Sequence, residues 1–117
     1  MIINETQKMN YLSEGFLIVP DFLNPLELNT IRKICDTSIS EVENEMKGQK
    51  ITHDRINVLG KKYFIKDVRK KHPELNEIIF NKKTAEVCKV TIGDTAFLHN
   101  EQFVVKMKDS SSIFNFL

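Results

Sequence analysis

The sequence predicts an α+β protein from two periodicities and one capping signal. Apolar residues recur at spacings of three and four across residues 28–46, as on one face of a helix. Across residues 97–106 one set of alternating positions carries amide and ammonium groups, which is the period of a strand with a polar face. Asn24, Pro25 and Glu27 supply the N-cap, the first-turn proline and the capping-box partner of the long helix.

The first half of the chain is predicted to contain two helices and one strand. Asn4 is a good N-cap for a helix of about ten residues, and Gly15 is its expected left-handed end. Residues 16–19 are predicted to form a strand that leads to Asn24. The long helix that follows is expected to pack through one apolar stripe, which consists of Leu28, Ile31, Cys35, Ile39, Val42 and Met46.

The second half carries shorter elements. Residues 49–60 are polar and predict a loop or an edge excursion, and residues 61–65 predict a short strand or a turn. Pro73 predicts the start of a helical turn that reaches residue 80, and the pattern of residues 84–92 predicts a short helix closed by Gly93. Residues 110–112 are a serine run of the kind found in flexible segments.

Composition restricts the class of protein. The 117 residues carry a formal net charge of +1, with 41% hydrophobic and 28% charged residues, so one domain over residues 1–117 is expected, and neither nucleic acid nor membrane is implied. Cys35 and Cys88 are interpreted as reduced core residues of an intracellular protein. No apolar run approaches the roughly 18 residues of a membrane span, and no signal peptide opens the chain. A cytoplasmic location is therefore expected.

The strand predicted over residues 97–106 is the most informative segment. Its alternation places Asn100, Gln102, Val104 and Lys106 on one side, so an amide and an ammonium point the same way. A lysine offers a mobile point charge to a carboxylate, and an amide can orient it. This face predicts a polar pocket, although an ordinary exposed strand lysine would show the same pattern.

Residues 15–23 and 97–106 together resemble the phytanoyl-CoA dioxygenase-like family of iron(II) and 2-oxoglutarate dependent oxygenases, over residues 11–108. The resemblance implies N-terminal helices packed on the first strands of a truncated double-stranded β-helix, a jelly-roll or cupin-like barrel. It also implies that Lys106 reaches the 2-oxoglutarate carboxylate and that Gln102 lines the same pocket, with Asn100 as a weaker third member. A completed enzyme would hydroxylate a small or acyl-linked substrate.

The family places its H-x-D iron motif after the lysine-bearing strand, and the second histidine and an arginine follow later. Iron(II) in this class takes two imidazoles and one carboxylate. The chain is therefore interpreted as an incomplete N-terminal portion, inactive alone, with no catalytic or metal residues and with neither iron nor 2-oxoglutarate fully bound. Three local histidine patterns are interpreted as structural or solvated: His53 with Asp54, His72 with Glu74, and His99 with Glu101.

Two other functions remain open. One is a non-catalytic interaction module that binds a partner or a full-length paralogue through its helix stripe and an open sheet edge. Self-association through the open edge is also expected, because the apolar residues 113–117 would add exposed apolar surface. The other is a small phosphate-binding domain. It would bind phosphate through six cationic side chains within eleven residues. The same run is also explained by an ordinary solvated face whose charge a nearby acidic run neutralises. The cations are Lys61, Lys62, Lys66, Arg69, Lys70 and Lys71, and the acidic run is Glu41, Glu43 and Glu45.

Overall fold

The computed structural model describes residues 2–108, so the serine run at residues 110–112 and the apolar tail at residues 113–117 lie outside the described residues. The predicted α+β class is confirmed. The elements in chain order are α1 (Glu5–Glu14), α2 (Pro25–Gly48), β1 (His53–Asp54), β2 (Asn57–Val58), β3 (Lys62–Lys66), α3 (Val68–Lys71), α4 (Leu75–Ile79), α5 (Lys82–Thr91) and β4 (Gln102–Lys106).

The described chain forms two compact units. The first consists of residues 2–29 and 73–99, and it holds α1, the start of α2, α4 and α5. The second consists of residues 30–72 and 100–108, and it holds the remainder of α2, the four strands and α3. The prediction of one domain over residues 1–117 stays a prediction.

Helix α1 begins and ends where its sequence predicts. The Asn4 side chain accepts a hydrogen bond from the Gln7 N–H at 2.8 Å, and the Asn4 N–H donates to Gln7 Oε1 at 2.9 Å. This reciprocal capping box satisfies two donors that the first turn leaves unpaired. Gly15 ends the helix in the left-handed region at φ 83°, and its N–H donates to the Tyr11 carbonyl at 2.8 Å.

The strand predicted over residues 16–19 is wrong. The segment is irregular, and no strand among residues 2–108 pairs with it. Its side chains do alternate, since Phe16 and Ile18 are exposed, with Ile18 at 74%, while Leu17 and Val19 are half-buried. Alternating burial therefore arises here without a hydrogen-bonded ladder, which a strand also requires.

Helix α2 has the predicted start but a shifted buried face. Asn24 and Glu27 form the expected capping box, with hydrogen bonds of 2.8 and 2.9 Å. The most buried residues are Ile34, Ser38 and Met46, whereas the other members of the predicted stripe are only half-buried. Ser38 is not part of the predicted stripe, which consists of apolar residues and one cysteine. In the second unit it lines a small cavity that the neighbouring chain covers.

One lysine anchors the loop before α2 to α5 in the first unit. Lys83 Nζ donates to the Phe22 carbonyl at 2.7 Å and to Glu27 Oε1 at 2.6 Å, and it lies 5.2 Å from the centroid of the Phe22 ring. The hydrogen bond from Lys83 and that from the Asn24 backbone lower the pKa of Glu27. The same carboxylate thus caps α2 and binds α5.

The second unit contains a four-stranded antiparallel sheet in the order β1-β2-β3-β4. Its central buried residue is Tyr63, which is 0% exposed. The Tyr63 hydroxyl donates to Glu43 Oε2 at 2.8 Å and accepts from the Gly60 N–H at 2.6 Å. These two bonds connect β3 to α2 and to the preceding turn. Burial is the main cause that raises the pKa of the Tyr63 phenol.

The strand predictions are correct in part. Of the two alternatives expected over residues 61–65, a short strand or a turn, the structure has the strand, β3, but the strand expected over residues 97–106 contains only Gln102–Lys106. Residues 97–100 are irregular and exposed, with Phe97 at 86%. The polar loop expected over residues 49–60 contains the β1–β2 hairpin, whose two-residue strands are too short to show a period.

The short helices follow local signals, with one exception. Asn81 caps α5 by accepting from the Thr84 N–H at 3.0 Å, and Gly93 follows its end with φ 117° and an N–H bond to Cys88. The predicted helical turn after Pro73 is confirmed as α4, although it begins two residues later, at Leu75. Helix α3 was not predicted, because four residues rich in cations carry no helical period.

Candidate functional site

The face of β4 that the sequence singled out is an exposed surface. Gln102, Val104 and Lys106 are exposed on one side of the strand, and Phe103 and Val105 are half-buried on the other. The predicted sharing of one face by the amide and the ammonium is confirmed. The surface is open to solvent in this chain, so the face alone does not make an enclosed pocket.

Asn100 lies apart from the other two predicted site residues. It precedes β4, is exposed, and belongs to no strand. Its position relative to Gln102 is therefore not set by a ladder. The structure brings Gln102 and Lys106 onto one strand and leaves Asn100 outside it.

The register of the sheet adds residues that the sequence analysis did not assign to this face. Residues opposite each other in an antiparallel pair lie on the same face of the sheet. The residues of β3 that lie opposite this polar face are therefore a lysine, a phenylalanine and a second lysine. The pairs are Lys62 with Lys106, Phe64 with Val104, and Lys66 with Gln102.

Hydrogen bonds just beyond the strand ends identify the type of these pairs. The Met107 N–H donates to the Lys61 carbonyl at 2.8 Å, and the Asp67 N–H donates to the Glu101 carbonyl at 3.3 Å. Because hydrogen-bonded and non-hydrogen-bonded pairs alternate, Lys62 and Lys106 form a non-hydrogen-bonded pair. Their Cα atoms are then about 4.5 Å apart, the closer of the two spacings.

The cross-strand register changes which side chains can contact the same group of a ligand. Along β4, Gln102 and Lys106 are four residues apart, which corresponds to roughly 14 Å between Cα atoms. Lys62 is therefore much nearer to Lys106 than Gln102 is. Two ammonium groups at this spacing suit one carboxylate or one phosphate group, whereas Gln102 would contact the far end of a longer ligand. The sequence offered no signal for Lys62, because cross-strand register is not visible in one strand.

A cavity of about 530 Å³ adjoins the same face near the β1–β2 hairpin. Arg55 at the tip of the hairpin has φ 57°, which is an unfavourable conformation for a residue other than glycine. Among residues 2–108, four cations of this region have no ion-pair partner, namely Arg55, Lys62, Lys66 and Lys106. The lining residues of the cavity are Asp54, Arg55, Ile56, Asn57, Phe64 and Lys66.

The cationic run predicted as a possible phosphate site is divided among three elements. Lys61 lies in a turn, Lys62 and Lys66 lie on β3, and the last three cations lie on α3. Lys71 pairs with Glu41 at 3.6 Å, where both side chains are well exposed, so this bridge contributes little. The acidic counterpart expected from the sequence thus meets the run at Lys71, and within the described residues Lys62 and Lys66 are the cations of the run that share the β3 face.

The histidines and thiols occupy separate places. His53 is exposed on β1, with Nδ1 3.0 Å from Thr52 Oγ1, His72 ends α3, and His99 is exposed ahead of β4. Cys35 and Cys88 are free and half-buried, and burial raises the pKa of the Cys35 thiol.

No three histidine, cysteine or carboxylate side chains converge on a metal-sized site within the described part of the chain. These residues do not provide the two-imidazole, one-carboxylate set that iron(II) takes in the oxygenase class. Glu101, which follows His99 by two residues, accepts from the Arg69 N–H at 3.0 Å and so caps α3.

An apolar groove of about 660 Å³ lies in the first unit along α5. Phe80, Ile92 and Phe97 line it and are largely exposed, and Cys88 lies at its wall. Their sequence pattern predicts short helices and a strand, and neither pattern indicates a groove. None of the helices in residues 2–108 has the length and apolar character needed to span a membrane.

Comparisons with known proteins give no match. No protein-family model, no curated protein and no solved structure matches this chain. The structural result is therefore the coarse class, a set of helices with a small four-stranded antiparallel sheet.

Proposed function

We propose that this chain is the N-terminal portion of a phytanoyl-CoA dioxygenase-like, iron(II) and 2-oxoglutarate dependent oxygenase. In this proposal the sheet supplies the first strands of a double-stranded β-helix, and the polar face of β4 forms part of the wall of the co-substrate pocket. The isolated chain is inactive, and a completed enzyme hydroxylates a small or acyl-linked substrate.

The observation that carries the proposal is the exposed polar face at the edge of the sheet. β4 pairs with β3 on one side only within residues 2–108. A barrel is completed by pairing such an edge with a further strand, which also covers one face of the sheet. Lys106 and Gln102 would then line an interior surface instead of solvent.

The register refines the roles that the resemblance assigns. Lys106 and Lys62 together would hold one carboxylate of 2-oxoglutarate, and Gln102 would line the pocket about 14 Å away along the strand. Asn100 would contribute from the segment before β4. Bound iron(II) and 2-oxoglutarate would supply the oxidising chemistry. The proposal assigns the iron ligands to polypeptide other than the described residues.

The test begins with sequencing the transcript through the codon for Leu117. The expected result is a continuation that encodes an H-x-D motif, a later histidine and a late arginine. The product of that reading frame should then form succinate from 2-oxoglutarate. Absence of such a continuation, or a product that lacks this activity, would refute the proposal.

A matched pair of lysine variants tests the residue roles in the extended enzyme. Lys106→Met should raise the KM for 2-oxoglutarate on the order of tenfold, because a charge-assisted contact is lost. Lys47→Met, at an exposed position of α2, should leave KM unchanged. Equal effects of the two substitutions would contradict the role of Lys106.

A second candidate function is an interaction module that adds a partner strand to β4. The specific observation in its favour is the edge of that strand, which is unpaired within residues 2–108, and this function requires no metal ligands. Binding by strand addition uses main-chain hydrogen bonds, so it should survive replacement of both Lys106 and Gln102 by alanine. Pull-down of a strand-forming peptide by the double variant would support it, and complete loss of binding would argue against it.

A further inference from the structure

We propose that the free edge of β4 binds an extended acidic segment of a partner protein by strand addition. The inference rests on the second candidate function and adds the chemistry of the partner. It concerns the backbone edge of β4 and the charges beside it.

The outward groups of β4 follow from the hydrogen-bond pattern of the β3–β4 pair. Residues in non-hydrogen-bonded pairs direct their N–H and C=O groups away from the paired strand. In β4 these residues are Gln102, Val104 and Lys106. They present three N–H and three C=O groups that have no hydrogen-bond partner within residues 2–108. A five-residue edge of this kind is a template for another strand.

Charge complementarity selects the partner. Side chains of an added strand that lie opposite Lys106 and Gln102 would stand on the face that carries Lys62 and Lys66. Neither of these lysines nor Lys106 has an ion-pair partner in the described chain. Carboxylates at those positions would relieve the mutual repulsion of three ammonium groups.

On the opposite face of the sheet, the added strand requires apolar side chains. Phe103 and Val105 are half-buried there, beside the fully buried Tyr63. Residues of the added strand that alternate with the carboxylates would extend this apolar surface. The expected partner sequence is therefore acidic, apolar, neutral, apolar, acidic, with period two.

A second copy of the chain fits the edge less well. Antiparallel pairing of two β4 strands centred on Val104 would place Lys106 opposite Gln102 of the other copy. The two lysine-bearing faces would then lie side by side, with like charges added and none neutralised. A single-stranded nucleic acid would meet one aromatic ring, Phe64, on this face and would leave the backbone groups of β4 unpaired.

The test uses the 117-residue chain and a fluorescein-labelled peptide, Ser-Glu-Val-Thr-Val-Glu-Ser, in fluorescence anisotropy. The Glu peptide should bind about five- to tenfold more tightly than the same peptide with Gln for Glu at low salt. The difference should largely disappear in 0.5 M NaCl, since the Debye length there is only about 4 Å. Lys106→Gln should reduce the difference between the affinities of the Glu and Gln peptides.

Backbone controls separate strand addition from simple charge attraction. N-methylation of the central Thr, whose N–H faces β4 in this register, should abolish binding, whereas N-methylation of a neighbouring Val should not. On the protein, Val104→Pro removes an outward N–H and should block binding while retaining the circular dichroism spectrum. Val105→Pro removes an N–H of the β3 ladder and serves as the disruptive comparison.

Four other outcomes of these experiments would overturn the inference. Equal binding of the Glu and Gln peptides would retain strand addition but reject acidic selection. No binding of either peptide would reject both the inference and the second candidate function. Binding of oligothymidylate without peptide binding would assign the face to nucleic acid. A dimer in sedimentation that Val104→Pro abolishes would assign the edge to a second copy.

Discussion

Replacing Lys106 by Glu should stabilise the β3–β4 pair of the isolated chain. Lys106 and Lys62 stand opposite each other in a non-hydrogen-bonded pair, where like charges are unfavourable. At a separation of roughly 7 Å between the ammonium groups, Coulomb's law in water gives a repulsion of about 0.6 kcal/mol. Lys106→Glu converts this repulsion into an attraction of similar size. The expected gain is about 1 kcal/mol at low salt.

Amide hydrogen exchange of Tyr63 and Val105 measures this gain directly. Both residues belong to a hydrogen-bonded pair, so their N–H groups exchange when β3 and β4 separate. The free energy of opening should rise in the Lys106→Glu variant in 20 mM NaCl, and most of the rise should disappear in 500 mM NaCl. Lys106→Gln should give about half of the gain.

Lys66→Glu is the matched control. It changes the same charge on the same face of the sheet, but its cross-strand neighbour is Gln102 instead of a lysine. The expected gain is therefore small. The reasoning is refuted if Lys106→Glu lowers the free energy of opening at both salt concentrations, or if Lys66→Glu gives an equal gain.

Three further predictions concern groups that position the elements. Tyr63→Phe should lower the free energy of unfolding by about 2 kcal/mol in urea titrations, because a backbone N–H and a carboxylate lose their partner; Tyr11→Phe, in α1, should change it little. Because the pKa of Glu27 is lowered in the folded state, its carboxylate stabilises the fold at pH values above the ordinary pKa of 4.5. This contribution to stability is lost as the pH falls through the lowered pKa of the folded state. Thermal melts of Glu27→Gln should therefore show a weaker loss of stability in acid, and an unchanged acid profile would contradict the assignment. Gly15→Ala, at φ 83°, should cost about 1 kcal/mol in the same urea titrations, whereas Gly48→Ala, inside α2, should not destabilise.

Local signals allowed the sequence to predict most helix boundaries. The capping boxes at Asn4 and Asn24 bond to groups three residues away, and Gly15 supplies a left-handed end that needs no other contact. Such interactions depend only on residues that are close in sequence, so they can be predicted from a single sequence. The shared face of Gln102 and Lys106 is predictable for the same reason, since it follows from the alternation of a strand.

The errors arose where a segment depends on a partner distant in sequence. Residues 16–19 alternate in burial like a strand but find no partner strand in the described chain. The buried face of α2 includes Ser38, which the predicted apolar stripe leaves out, because residues distant in sequence pack beside it. Residue propensity and hydrophobic period describe one element at a time. Neither indicates the contacts with distant segments that decide whether a strand is paired or a side chain is buried.

The sequence by itself determined that β4 carries an amide and an ammonium on one face, because side-chain direction alternates along any strand. Only the tertiary structure decided that Lys62 is the close neighbour of Lys106, and that within residues 2–108 β4 is an edge strand with outward backbone groups. Register and edge position depend on pairing between segments that are far apart in the chain. The physical reason is that cross-strand hydrogen bonds, unlike helix caps, join residues whose separation in sequence carries no local signal.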